Sequence, residues 1–80
     1  MNPSGNGKSE YETPDINLTS FLRCRKFSIV RFERVGEARV FFIFHDSPEL
    51  RTAIVDYAND GEVPARSFSN TLRDLKGLLR

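Results

Sequence analysis

Apolar and polar positions along the chain switch between two periods. In TPDINLTSFLRCRK (residues 13–26), Leu18, Phe21 and Leu22 recur at helical spacing and predict a first helix. Thr13 supplies a capping hydroxyl, Pro14 suits the first helical position and Asp15 is a first-turn acid, while Arg23, Arg25 and Lys26 sit where the helix dipole favours cations. FSIVRFERVGEARVFFIF (27–44) changes to alternation and predicts a β-hairpin around Val35 and Gly36. A type I turn at Arg34 and Val35 with Gly36 as the bulge residue sets Glu33 across from Glu37, Val30 across from Val40 and Ser28 across from Phe42. Helical spacing returns in HDSPELRTAIVDYANDG (45–61), with Ser47 as the cap, Pro48 in the first turn, Glu49 beside the dipole, Leu50, Ala53, Ile54, Tyr57 and Ala58 as the apolar stripe, and Gly61 as the stop. A last helix carries Phe68, Leu72, Leu75 and Leu79, with Pro64 near its start.

The expected fold class is α+β, a β-hairpin packed with three helices in the order α-β-β-α-α. Residues 1–10 read as a disordered N-terminal tail and residues 11–80 as a single α+β domain. The unbroken run Val40, Phe41, Phe42, Ile43, Phe44 leaves both faces of the hairpin apolar, so each face needs a cover. Either the first helix lies on the opposite face from the last two, or part of the face formed by Phe27, Ile29, Phe41 and Ile43 pairs with a second molecule. The expected core includes Leu18, Phe21, Leu22, Val30, Phe32, Val40, Phe42, Phe44, Leu50, Ile54, Tyr57, Phe68, Leu72 and Leu75.

Charge changes the picture because it is segregated. The net charge is +1. Residues 21–39 hold Arg23, Arg25, Lys26, Arg31, Arg34 and Arg39 against Glu33 and Glu37, whereas residues 45–62 hold Asp46, Glu49, Asp56, Asp60 and Glu62 against Arg51. A chain that is dipolar along its sequence suits a self-complementary or acidic partner at least as well as a polyanion. Cys24 is the only cysteine, which excludes an intramolecular disulfide and a Cys-based metal site and fits a cytoplasmic setting. The longest apolar run is far short of the ~20 residues of a membrane span, and the first residues lack the basic-then-apolar order of a signal peptide.

From YETPDINLTSFL through VFFIFHDSPEL to SFSNTLRDLK, the chain resembles a small bacterial family of single domains of unknown function. That family shows an acid-led first helix, a strand ending in alternating Phe, an acidic helix start and a final helix opening near an aromatic residue. Its members often carry a glycine between the first helix and the hairpin, where this chain has Arg25, Lys26 and Phe27. The resemblance implies a compact stand-alone domain and brings no catalytic residue, cofactor or substrate.

The chemistry-bearing residues point away from catalysis. His45 and Asp46 are adjacent in a strand and so face opposite sides, and no serine or cysteine stands near them in a catalytic spacing. One histidine among scattered carboxylates has no metal-ligand spacing. The glycines of SGNGKS lack the spacing and preceding strand of a phosphate loop. No catalytic, cofactor-binding or metal residue is therefore assigned, and no small-molecule substrate is inferred. The expected function is a non-enzymatic binding module for an unidentified protein partner or a second copy, with Phe27, Ile29, Phe41 and Ile43 as the self-association residues. Nucleic-acid binding through the basic hairpin tip is the alternative, with Arg23, Arg25, Lys26, Arg31, Arg34 and Arg39 as contacts.

Overall fold

The computed structural model describes residues 9–79. Its elements are β1 (Glu10–Thr13), α1 (Ile16–Cys24), β2 (Arg31–Val35), β3 (Arg39–His45), α2 (Pro48–Ala58) and α3 (Ala65–Leu78). The α+β class holds, and the order is corrected to β-α-β-β-α-α by a strand ahead of the first helix. β1 and β2 flank β3 and are each antiparallel to it, so β1 and β2 run parallel to one another, joined by α1 as a split β-α-β unit. In EYET the alternation lasts only four residues and puts two glutamates on one side, so it reads as a polar lead-in. It becomes a strand because β3 offers a ladder, pairing Tyr11 with Phe44 and Thr13 with Phe42. Of the expected tail, residues 1–8 lie outside the described residues, and Glu10 belongs to β1.

The first helix starts differently from expectation. Asp15, not Thr13, is its cap: the Asp15 carboxylate accepts from the backbone N–H groups of Asn17 and Leu18 at 2.9 and 3.0 Å. Thr13 Oγ1 accepts from the Asp15 N–H at 3.1 Å, and Pro14 stands between strand and cap, where its missing donor breaks no ladder. α2 starts as its sequence dictates, with Ser47 Oγ accepting from the Leu50 N–H at 3.0 Å and Pro48 opening the helix.

The hairpin turns later than expected. β2 runs to Val35, which pairs with Arg39, and Gly36, Glu37 and Ala38 make the loop, Gly36 taking φ +69°. Each β2 residue therefore meets a partner four positions beyond the expected one: Glu33 faces Phe41 rather than Glu37, avoiding two like charges side by side. Because the shift is even, each side chain stays on its expected face.

One sheet face carries the helices. Phe42 and Phe44 of β3 join Leu18, Phe21 and Leu22 of α1, Leu50 and Ala53 of α2 and Leu75 of α3 in a single buried cluster. This overturns the placement of α1 on the opposite face: all three helices share one layer, and the Cα trace is correspondingly thin, 41 × 32 × 17 Å. Val30 and Phe32, expected in the core, are 36% and 46% exposed, because they sit at the β2 edge beyond the main body of that layer. Among the described residues no helix is long and apolar enough to cross a membrane.

Candidate interaction surface

β2 pairs with β3 along one side only, so its other side is a free edge among the described residues. Unpaired N–H and C=O groups on such an edge are a template for another strand. Val30, Phe32 and Val35 are three of the five most exposed large hydrophobics, and all lie along this segment, Val35 at 53%. Phe32 faces the helical side and meets Phe42 edge-on, ring centroids 5.5 Å apart at 75°, while the residue stays 46% exposed.

The sheet face without helices is finished by charge. Arg31 donates from both terminal nitrogens to Glu10 at 2.8 Å, reaching across β3, and from Nε to Glu33 Oε2 at 2.8 Å. Ile43 lies between Glu12 and Arg31 in register and is fully buried without belonging to the helical cluster. The guanidinium hydrogen bond holds the Glu10 carboxyl below the ordinary glutamate range, and the two glutamates raise the Arg31 guanidinium.

The four apolar residues expected to form one self-association face are divided. Phe27 and Ile29 precede β2 and pack against the helical cluster; Phe41, half-buried, and Ile43 lie on the open sheet face. The physical reason is that strand alternation begins only at Arg31, so extrapolating it back to Phe27 assigns the wrong side.

The six basic residues are also dispersed. Arg25, partly buried, is held against the fold, donating to Asp56 at 3.1 Å and to the Glu62 carbonyl at 3.0 Å while its guanidinium lies 4.6 Å from the Phe21 ring centroid. Arg31 is engaged by Glu10 and Glu33, and Arg23 donates to the Phe27 carbonyl at 3.2 Å. Lys26 is exposed at the end of α1. Arg34 and Arg39 are exposed near the hairpin loop, but Arg34 pairs with Val40 and Arg39 with Val35, which places the two on opposite faces.

Around His45, Asp46 is drawn into a bidentate pair with Arg51 at 2.8 and 2.9 Å, which lowers the Asp46 carboxyl pKa, and His45 is exposed. Cys24 is partly buried. No three metal-ligating side chains cluster among the described residues. Sequence reasoning missed Glu10 and the exposure of Phe32; the signal for Glu10 was the brief alternation of EYET, too short to weigh alone.

A family model described as "Domain of unknown function (DUF5659)" matches residues 8–80, and the chain belongs to that family. No curated protein matches the chain, and no solved structure does.

Proposed function

We propose that this member of the DUF5659 family is a non-enzymatic interaction module that binds a protein segment along the β2 edge. The observation that carries the reading is the exposure of Phe32 and Val35 on a strand whose outer side is unpaired among the described residues. Main-chain groups on such an edge supply affinity, and the alternating side chains supply specificity. Nucleic-acid binding is less well supported. Two of the six basic candidates, Arg25 and Arg31, are held by acids of the same chain, and the exposed Arg34 and Arg39 do not share a face.

The test is affinity capture from the source organism with two baits, the wild type and Phe32→Lys, followed by binding of each captured protein in purified form. A protein bound by the wild type and not by Phe32→Lys, with circular dichroism unchanged, supports the reading. Identical binding by both baits refutes it. Low-salt binding to DNA or RNA that disappears in an Arg34→Gln/Arg39→Gln variant would replace it with the nucleic-acid reading.

A further inference from the structure

We infer that the strand received at the β2 edge is the β2 strand of a second copy of this chain, paired antiparallel about a two-fold axis at Phe32; this rests on the interaction reading above and names its partner. A two-fold joining two β2 edges stands perpendicular to the sheet and keeps each face on its own side. One residue of β2 must then face its own counterpart on the axis. With Arg31, Glu33 or Arg34 on the axis, like charge meets like charge, and with Val35 there Glu33 of each copy meets Glu37 of the other. With Phe32 there, the two rings meet, and Arg31 of each copy lies opposite Glu33 of the other.

Each group in that register has capacity to spare. Glu33 engages Arg31 of its own chain through Oε2, leaving Oε1 without a donor among the described residues. Arg31 uses three of its five N–H groups, one on Glu33 and two on Glu10, so two remain for the Glu33 of the second copy. On the helical side the exposed ring of Phe32 extends from Phe42, so pairing continues an aromatic row from one β3 to the other. The result is a six-stranded sheet that removes one open edge from each copy.

Three measurements test it. Sedimentation of the wild type across a concentration series should show the mass doubling. Phe32→Lys, which sets two ammonium groups on the axis at a half-exposed site, should remain at monomer mass with unchanged circular dichroism. In a Cys24→Ser background, Phe32→Cys should oxidise to a covalent dimer, because facing residues of antiparallel strands fall within disulfide reach. Val35→Cys should not, since in this register its two copies stand roughly 20 Å apart. A wild type monomeric at every concentration, a dimer indifferent to Phe32→Lys, or equal cross-linking from Val35→Cys overturns the inference. The wider reading fails separately, when wild-type and Phe32→Lys baits bind the same purified proteins.

Discussion

Two residues carry a backbone conformation their side chains disfavour. Lys26 has φ +78° and Asp60 φ +61°, and each follows the C-cap residue of a helix, Arg25 after α1 and Asn59 after α2. After α1, the Lys26 N–H donates to the Arg23 carbonyl and the Phe27 N–H to the Leu22 carbonyl; after α2, Asp60 and Gly61 donate to Tyr57 and Asp56 in the same pattern. These are two Schellman closures, a motif whose left-handed residue is usually glycine. Lys26 thus keeps the glycine geometry at a conformational cost. Lys26→Gly should stabilise the fold by about 0.5–1 kcal/mol, the left-handed penalty less the extra freedom glycine has when unfolded. Gly61 is the contrary case. A Cβ there would lie 2.8 Å from the Asp56 carbonyl oxygen and 3.1 Å from an Arg25 nitrogen, so Gly61→Ala should cost about 1–3 kcal/mol. Urea midpoints of the two variants should move in opposite directions; a shared direction refutes the assignment.

At the scale of elements, ion pairs fasten the open sheet face and the α2 start: Glu10 of β1 to Arg31 of β2 across β3, and Asp46 to Arg51. The Glu10 carboxyl is lowered first by the Arg31 hydrogen bond, and that of Asp46 first by Arg51, from ordinary values of 4.5 and 3.8. A carboxyl lowered in the folded state contributes stability that is present above its unfolded value and lost as pH falls through the folded one. Acid should therefore begin to destabilise the protein below about pH 4.5, with a slope that shrinks in Glu10→Gln and in high salt, because these pairs are exposed. An unchanged pH profile in Glu10→Gln would refute the role of this pair. α2 was fully legible because Ser47, Pro48 and Glu49 signal its start through bonds local in sequence. β1 was not, since Tyr11 and Thr13 gain their meaning from Phe44 and Phe42, some thirty positions away. The hairpin faces could be read from alternation, but the register could not: an even shift preserves alternation, and only like-charge avoidance at Glu33 and Glu37 separates the two pairings.

At the scale of the whole molecule, one helical layer against one sheet makes apolar character a poor guide to burial. Phe32 and Phe42 are paired in register, share the helical face and touch ring to ring, yet Phe32 is 46% exposed and Phe42 1%. The difference is lateral position: Phe42 is on the central strand beneath α1, α2 and α3, and Phe32 is on an edge the layer does not reach. Strand order decides this, and strand order depends on β1, which is why the candidate surface was hidden in the sequence while most of the core was legible. Phe42→Ala should cost about 3–5 kcal/mol, a large share of the stability of a domain this small, because the surrounding cluster cannot close over the lost ring. Phe32→Ala, measured below any associating concentration, should cost no more than about 1 kcal/mol, from the lost edge contact and the half of the ring that is covered. Denaturant midpoints decide between position and composition. Equal losses from the two variants would mean that β2 lies under the helices and has no exposed edge to offer, whereas a wide gap leaves Phe32 as a side chain whose burial awaits another molecule.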